Sequence, residues 1–403
     1  MDAKLIATIK RRMEYEAARS DPPEGFPSFP GIPGGRYVDP AFLALEREAM
    51  WKRAWLYACH ADQIPEPGSW KLIRHTGSPI IVTRDLEGQF RAFYNACQHR
   101  GAPLVKEEQG QSRGFVCGYH GWSYTLDGRL TAVRDRRDFV DLDFACRGLK
   151  AVRCETLGKL VFINEAAEAE PLRQHLGPMA AELDQYGLER LNFVETRSYD
   201  VACNVKVLLD AFLEVYHLRS IHRKTVDRFL DHRGMTATLW KNGHSRMITP
   251  NRRPDWKDPG TIGMPVIDSV TEIPRDNNVS YHIFPNLVMP PSPSGIPVLQ
   301  FWPRDERNCT VFSTWLAPDY DPDDPHPNWQ ARKDNWESIL YEDLQFAPQI
   351  QESVGSPGFT SMALNYQERR IYHWHEELDR RIGPNHIPTG LAVDPVLEPW
   401  VET

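Results

Sequence analysis

Two short stretches carry the strongest chemical signal in the chain: Cys97-Gln98-His99-Arg100-Gly101 and Cys117-Gly118-Tyr119-His120-Gly121-Trp122. Each stretch offers one thiolate and one imidazole, in the patterns C-x-H and C-x-x-H, and seventeen residues separate His99 from Cys117. Two thiolates and two imidazoles suit a [2Fe-2S] cluster in which one iron takes both sulfurs and the other takes both nitrogens. The pattern therefore predicts such a cluster, with Cys97 and Cys117 on one iron and His99 and His120 on the other.

A structural zinc site is the alternative, because zinc uses the same ligand types. Zinc fingers generally group cysteine with cysteine and histidine with histidine, whereas each stretch here carries one of each. Two mixed loops can each reach both irons of a cluster. The order of the ligands therefore favours the iron–sulfur interpretation.

The flanking residues predict that both stretches form the tips of β-hairpins. Residues 80–83 and 89–94 are short, mostly apolar runs on either side of a turn signal at residues 85–88. Residues 114–117 and 122–126 flank the second stretch in the same way, and Asp127-Gly128 closes the next turn.

Residues 42–165 resemble the Rieske domain of the α subunits of ring-hydroxylating, or Rieske non-haem iron, oxygenases. The resemblance rests on the two ligand stretches together with Trp51-Lys52-Arg53-Ala54-Trp55 and Arg91-Ala92-Phe93-Tyr94-Asn95-Ala96. Rieske ferredoxins share these loops, so a non-catalytic electron carrier is an alternative. The 403-residue chain, however, leaves about 240 residues after this segment, enough for a second core. This length predicts an enzyme in which the cluster serves a second domain.

The composition argues against several classes of protein. The chain is 41% hydrophobic and 25% charged, with a net charge of -8, and shows no basic stripe of the kind that binds nucleic acid. No run of about 18 apolar residues suggests a membrane span. Residues 1–20 lack the apolar core of a signal peptide and are predicted to form a short amphipathic helix. The cysteines outside the ligand motifs lack framework spacing, which predicts a cytoplasmic location.

The second informative stretch is Asp210-Ala211-Phe212-Leu213-Glu214-Val215-Tyr216-His217-Leu218-Arg219-Ser220-Ile221-His222. On a helix, Asp210, Glu214 and His217 share one face at positions i, i+4 and i+7. His222 lies about 140° around the helix from His217, so both can bind one metal only if the helix loosens or ends there. By its spacing alone, this pair of histidines is weak evidence for a metal site.

A carboxylate interrupts the apolar face of a helix predicted over residues 328–351. The residues that follow helical spacing on this face are Trp336, Ile339, Leu340, Asp343, Ala347 and Ile350. Pro348 is expected to kink or weaken the helix just after Asp343. Neighbouring Glu342 points elsewhere and is the reserve candidate for a metal ligand. A solvated carboxylate without a ligand role is the alternative for Asp343.

The oxygenase resemblance assigns a mononuclear Fe(II) site to these residues. It implies that His217 and His222 are the two histidine ligands and that Asp343, in a similar late helix, is the carboxylate ligand. Such a facial triad leaves three positions on the iron open for O2, water and substrate-linked chemistry.

The resemblance also implies roles for the two acids that precede His217. Glu214 would bridge, across a subunit boundary, to a histidine that binds the neighbouring subunit's cluster, His120 or His99. Most family members have aspartate at this place, although some relatives that act on non-aromatic substrates have glutamate. Asp210 resembles a supporting position that is commonly filled by asparagine.

The expected fold class is α+β, with an N-terminal all-β Rieske domain followed by a catalytic domain of antiparallel sheet and long helices. The resemblance supplies the name helix-grip, or START-like, for the catalytic domain. The predicted division is a helix and linker at residues 1–41, the Rieske [2Fe-2S] domain at 42–165 and the mononuclear iron domain at 166–403. Catalytic-domain strands are expected near residues 197–202, 237–248, 279–289, 297–301 and 310–316.

The resemblance implies the terminal oxygenase component of an electron-transfer system. Electrons from NAD(P)H would arrive through a ferredoxin and/or ferredoxin reductase, and the iron would activate O2 beside a small organic substrate, with an aromatic compound favoured. Family members are trimers in which the cluster of one subunit serves the iron of the next, so the resemblance implies a homotrimer. Glu214 and the chain length are nearer to the homotrimeric members, which favours mono-oxygenation, including O- or N-demethylation. Aromatic cis-dihydroxylation uses the same iron ligands and is the alternative.

Overall fold

Contacts within the chain divide it into two compact units. The computed structural model describes residues 1–253 and 258–402. One unit is Trp51–Leu172, and the other combines Met1–Met50 with Arg173–Thr403. The sequence-based division at residues 41/42 and 165/166 stays a prediction, and the compact units change instead after Met50 and after Leu172.

The unit Trp51–Leu172 is built from antiparallel strands. Its larger sheet has seven strands in the order Leu56–His60, Leu160–Asn164, Ala151–Leu157, Phe90–Tyr94, Ile80–Arg84, Ser69–Ile73 and Gln109–Gln111. A second sheet has three strands, Phe115–Val116, Ser123–Tyr124 and Leu130–Ala132. The expected all-β architecture of this part of the chain is confirmed.

The turns of this unit form where the sequence signals them. The Asp85 carboxylate accepts hydrogen bonds from the Glu87 and Gln89 backbone N–H groups at 3.1 and 2.7 Å, which closes the first hairpin. Gly128 has φ +89°, and a Cβ there would meet the Phe93 ring at 2.5 Å. Only glycine suits both the backbone conformation and the close approach. Asp85 therefore sets the hairpin that leads to Cys97 through local bonds, whereas Gly128 turns the hairpin after Cys117 and packs on a residue distant in sequence.

Helices lie mainly in the second unit. They are α1 (Ala3–Ala18), α2 (Pro40–Glu46), α3 (Leu172–Leu176), α4 (Pro178–Leu183), α5 (Val205–Ala211), α6 (Glu272–Asp276), α7 (Asn328–Leu344), α8 (Ala347–Val354) and α9 (Arg369–Ile382). The Asp2 carboxylate caps α1 by accepting from the Leu5 N–H at 2.8 Å. No helix of residues 1–253 and 258–402 has both the length and the apolar character that crossing a bilayer requires.

The second unit is organised around an eight-stranded sheet. Its strand order is Asn192–Val201, Cys309–Ala317, Ile296–Pro303, Leu287–Met289, Asn277–Ile283, Ser245–Pro250, Thr236–Trp240 and Val401–Glu402. Pairing is antiparallel except at the edge, where the last two strands run parallel. A short pair, Ile32–Pro33 with Ser361–Met362, lies apart from it. The α+β class is confirmed.

Two single strands predicted in this unit are wrong. The run 237–248 contains the turn Lys241–Gly243, where Asn242 and Gly243 have φ of +61° and +76° and reverse the chain. The run 279–289 is interrupted between Ile283 and Leu287, where Pro285 has no N–H to donate to a ladder. Asn242-Gly243 and Pro285 are turn and ladder-breaking signals that are present in the sequence.

The single helix predicted over residues 328–351 is also wrong. Helix α7 ends at Leu344 and α8 begins at Ala347, so Asp343 lies in the last turn of α7. Pro348 occupies the first turn of α8, where its missing N–H leaves no hydrogen bond unmade. The expected weakening just after Asp343 is an interruption at Gln345 and Phe346, both of which keep right-handed helical dihedral angles.

Candidate metal centres

The two cysteine–histidine loops have matching backbone frames. In the first loop, the Cys97 N–H donates to the Ala102 carbonyl at 2.9 Å, and the Gly101 N–H donates to the Cys97 carbonyl at 2.8 Å. The second loop repeats both bonds at 2.8 and 2.9 Å through Cys117, Trp122 and Gly121. Gly101 and Gly121 have φ of +76° and +73°, which glycine adopts without strain.

The four predicted cluster ligands come together in this unit. Cys97 and Cys117 are buried, whereas His99 and His120 are half-buried, and the two imidazole centroids lie 4.6 Å apart. Within the described residues, the buried Nδ1 of His120 has no hydrogen-bond partner, as expected of an atom that binds a metal. Burial raises the pKa of the Cys97 thiol, so holding the thiolate requires a cation. The donor set fits a [2Fe-2S] cluster.

Tyr124 is a neighbour of the cluster ligands that the sequence reasoning missed. Its hydroxyl lies 3.3 Å from Cys97 Sγ and accepts from the Gln98 N–H at 3.0 Å. The sequence signal for this role was the position of Tyr124 on the strand that follows the second loop, where its side chain is buried. A hydroxyl hydrogen bond to a ligand sulfur raises the reduction potential of an iron–sulfur cluster.

The segment that carries the second set of ligands is not one helix. Helix α5 ends at Ala211, so the predicted common helical face for Asp210, Glu214 and His217 is wrong. The Glu214 carboxylate accepts from the backbone N–H groups of Tyr216 and His217, the latter at 3.2 Å. These bonds start a separate 3-10 turn, Tyr216–Arg219. The change of course allows His217 and His222 to face the same point.

His217, His222 and Asp343 form a group able to hold a metal ion. One ligand atom from each lies within 4.8 Å of the other two. Asp343 Oδ1 is 3.1 Å from His222 Nε2 and 3.6 Å from His217 Nε2. This oxygen has no hydrogen-bond partner of good geometry in the described part of the chain, although the aspartate is only 7% exposed. A buried, unsatisfied carboxylate oxygen that faces two imidazole nitrogens fits a divalent cation.

A carboxylate holds the Nδ1 atom of each of these histidines. Glu214 Oε1 contacts His217 Nδ1, and Glu342 Oε2 contacts His222 Nδ1 at 2.6 Å. The Thr225 hydroxyl donates to the same Glu342 oxygen at 2.7 Å. Both rings are therefore oriented with Nε2 toward the shared centre, as in many protein metal sites.

The reserve ligand Glu342 thus lies outside the metal-capable group and has a positioning role that sequence spacing did not reveal. Glu342 and His222 are 120 positions apart in the sequence, and only tertiary packing brings them together. Burial alone would raise the pKa of Glu342, but hydrogen bonds from His222 and Thr225 lower it below its ordinary value. Glu342 therefore remains a carboxylate.

The electrostatics of the histidines favour a positive charge at the centre. Burial lowers the pKa of His217 and His222, but neighbouring carboxylates outweigh it and raise both pKa values above the ordinary range. For His217 the carboxylates are Glu214 and Asp343. The carboxylates that stabilise a proton on these histidines would also stabilise a divalent cation bound at Nε2.

Asp210 lies outside the metal-capable group and belongs to a buried network that includes the N-terminal residues. The Tyr37 hydroxyl donates to Asp210 Oδ2 at 2.8 Å and lies 2.9 Å from His375 Nε2. Burial raises the pKa of Asp210 to about 7, although the Tyr37 hydrogen bond and Lys206 oppose this shift. The predicted supporting role for Asp210 stays a prediction.

Two sequence families match the chain. The Rieske [2Fe-2S] domain matches residues 54–144, and the catalytic domain of the ring hydroxylating alpha subunit matches residues 188–384. The chain belongs to the Rieske non-haem iron oxygenases. The cofactors of this family are a [2Fe-2S] cluster and a mononuclear iron, and its systems typically receive electrons from NADH through a reductase.

Individual relatives of this Rieske oxygenase include both dioxygenases and monooxygenases. The large subunit of anthranilate 1,2-dioxygenase from Acinetobacter baylyi is 33% identical over 193 residues, 46% of this chain and 41% of that relative. The oxygenase subunit of glycine betaine monooxygenase from Pseudomonas aeruginosa is 22% identical over 394 residues, 86% of this chain and 88% of that relative. A solved quaternary ammonium Rieske monooxygenase shares the fold, with a TM-score of 0.76 and 19% identity over 91% of this chain and 100% of that one.

We expect Glu342→Gln to weaken iron binding by this Rieske oxygenase about tenfold and Glu342→Ala by about 100-fold. Glutamine keeps an acceptor for His222 Nδ1 but loses the charge, whereas alanine frees the ring. Competition with a chelator measures the affinity for Fe(II). Glu352→Gln removes an exposed carboxylate from α8 and should leave the affinity unchanged. Equal iron affinity in Glu342→Ala and the wild type would contradict the positioning role.

We expect Asp210→Asn to stabilise the protein at neutral and alkaline pH. The folded pKa of about 7 lies above the ordinary value of about 4, so the folded chain holds a proton that the unfolded chain has released. Stability therefore falls as the pH rises through this window. Asparagine can still accept from Tyr37, and the variant's gain in thermal midpoint should grow between about pH 5 and about pH 8. A gain independent of pH, or one shared by the exposed control Asp334→Asn, would contradict the assignment.

Proposed function

We propose that this chain is the terminal oxygenase of a system that mono-oxygenates a small organic substrate. The observation that carries the proposal is the convergence of His217, His222 and Asp343, with one ligand atom each within 4.8 Å. When bound, the cluster and Fe(II) supply electron transfer and O2 activation, with electrons from NAD(P)H delivered by a ferredoxin and/or ferredoxin reductase. The free cysteines suit the reducing cytoplasm that we propose as its location.

The chain's own residues would orient and shield this centre. Glu214 and Glu342 hold the Nδ1 atoms, so both Nε2 atoms stay directed inward without the rings rotating. Asp343 brings a negative charge into a site from which burial largely excludes water. Two neutral imidazoles and one carboxylate would hold Fe(II) with a net charge of +1 at this centre, and the ion would supply O2 activation there.

We further propose a homotrimer in which Glu214 bridges to a cluster histidine of the neighbouring subunit. Glu214 is 8% exposed, with Oε1 against His217 Nδ1 and Oε2 accepting from two backbone N–H groups, so the bridge would use a remaining lone pair of this carboxylate. Tyr216 beside it is 62% exposed. The cluster loop presents Val116 and Tyr119, which are 61% and 59% exposed, next to half-buried His120. Exposed apolar side chains at both places support burial in a subunit interface.

Different observations favour the two candidate reactions, mono-oxygenation and cis-dihydroxylation. Glu214 in place of aspartate and the near full-length match to a glycine betaine monooxygenase favour mono-oxygenation. The 33% identity to an anthranilate 1,2-dioxygenase favours the second candidate, cis-dihydroxylation. Reaction of the reconstituted system with a panel of aromatic and aliphatic substrates, followed by mass spectrometry, distinguishes them. Gain of one oxygen or loss of a methyl group supports mono-oxygenation, and gain of two oxygens supports dihydroxylation.

We expect His217→Ala and His222→Ala each to lower substrate oxidation by about 100-fold or more. Each variant loses one of three iron ligands, and its iron content should fall to that of the cluster alone. Its visible cluster spectrum should remain, because the cluster ligands lie in the other unit. Turnover, iron content and the spectrum are measured on the same preparations.

The control for these variants is His386→Ala, which removes an exposed histidine outside the group. It should keep full iron content and turnover. Undiminished turnover in His217→Ala would instead favour the alternative of a non-catalytic electron carrier, whose function does not need the second metal.

We expect two inactive variants to restore activity when they assemble together. Cys117→Ser should lack the cluster but keep the iron site. His217→Ala should keep the cluster but lack the mononuclear iron. In a mixed trimer with transfer between subunits, a cluster of one chain can serve the iron of another. Co-expression with two affinity tags isolates the mixed species, and up to about one-third of wild-type turnover is expected.

Adding Glu214→Gln to the Cys117→Ser chain should remove the restored activity, because that chain supplies the iron site and its bridge. The same Gln in the His217→Ala chain should have little effect and serves as the matched control. Absence of restored activity in mixed trimers with full metal content would contradict transfer between subunits.

A further inference from the structure

The second unit, which includes residues 173–402, contains a cleft lined by positively charged side chains. Its volume is about 370 Å3, and Lys224, Arg228 and Arg253 line it together with apolar Phe229 and Ile339. No carboxylate is among the described residues that line it. The chain as a whole is acidic, with a net charge of -8, so three cations in one cleft depart from the general character of the molecule.

The cations of the cleft are not neutralised by salt bridges to other described residues. Arg252, next in sequence to Arg253, pairs with Asp227 at 2.9 Å. Lys224, Arg228 and Arg253 form no such pair within residues 1–253 and 258–402. Because solvent-exposed guanidinium groups keep their charge, the cleft has a positive potential available to a ligand.

The cleft borders the iron site through two side chains. Thr225, which lines the cleft, donates to the Glu342 oxygen that also contacts His222 Nδ1. Ile339 lies on α7 one helical turn before Asp343. The proposed iron ligands do not themselves line the cleft, but Thr225 connects it to Glu342, the carboxylate that holds His222.

We propose that this cleft selects substrates with an anionic group, a carboxylate or sulfonate, on a small apolar body. The proposal rests on the oxygenase function proposed above and defines its substrate class. Arg228 and Arg253 can each offer two parallel N–H donors to a carboxylate, and Lys224 adds a point charge. Phe229 and Ile339 provide the apolar wall, whereas a neutral hydrocarbon would leave the cationic groups unused.

A concave site suits a small molecule better than a protein partner, because protein interfaces of stable complexes are broad surfaces of about 800 Å2 on each partner. An acidic redox partner that docks on the same cations is therefore an outcome that the experiment distinguishes. Exposed ion pairs are screened by salt, so the proposed selectivity is expected to be greatest at low ionic strength.

The test compares benzoate, its neutral analogue benzamide and the cation benzyltrimethylammonium on the iron-loaded, cluster-containing protein by calorimetric titration. Benzoate should bind about tenfold or more tightly than either analogue at low salt. Arg228→Gln and Arg253→Gln should each weaken benzoate binding about fivefold, and the double variant more, with benzamide unaffected. Arg233→Gln, which removes a cation outside the cleft, should change neither.

Equal or tighter binding of benzamide or the ammonium ion would overturn the proposal, as would unchanged benzoate binding in the double variant. If the double variant weakened only the kinetic interaction with the reductase or ferredoxin, the cleft would be a docking surface and the proposal would be wrong. Iron content and product formation from a neutral substrate report separately on the oxygenase function. That function can therefore hold while the anion preference fails.

Discussion

Each histidine of the candidate iron site has a carboxylate that holds its Nδ1 atom. An imidazole is otherwise free to turn about its bond to Cβ, and a metal site needs Nε2 in one direction. Glu214 restrains His217 and Glu342 restrains His222, so two short segments supply both the ligands and their supports. Because Glu342 is adjacent to Asp343, one turn of α7 contributes both a proposed ligand and a restraint on His222.

Buried charge pairs join residues 1–50 to the helices of residues 173–402 within the second unit. Lys206 Nζ lies 2.5 Å from Glu46, with both side chains fully buried, and Arg36 lies 2.7 Å from Asp379. Removing one partner of such a pair costs about 3 to 5 kcal/mol, because the other charge is left buried alone. Lys206 is in α5, immediately before the segment that leads to His217, so these pairs help to fix where that segment starts.

The sequence anticipated features that depend on neighbouring residues. The hairpin around Cys117 formed as predicted, and the Asp85 bond to the Gln89 N–H closes the hairpin that precedes Cys97. The Cys97 stretch itself is not a hairpin tip, because the next strand, Gln109–Gln111, pairs with Ser69–Ile73. Longer elements were less predictable. Asn242-Gly243 and Pro285 interrupt the two strands, and the ring of Pro348 is incompatible with a helical bond to Leu344, the last residue of α7.

By itself, the amino-acid sequence determined the cysteine–histidine loops, since bonds such as Gly101 to the Cys97 carbonyl close over only a few residues. It also provided the candidate iron ligands as residue types at suggestive places. Tertiary structure alone decided that Asp343 meets the two histidines, that Glu342 reaches His222 across 120 positions, and that Arg253 joins Lys224 and Arg228 in one cleft. The reason is physical: local hydrogen bonds depend on adjacent residues, whereas convergence of distant side chains depends on how whole helices and strands pack.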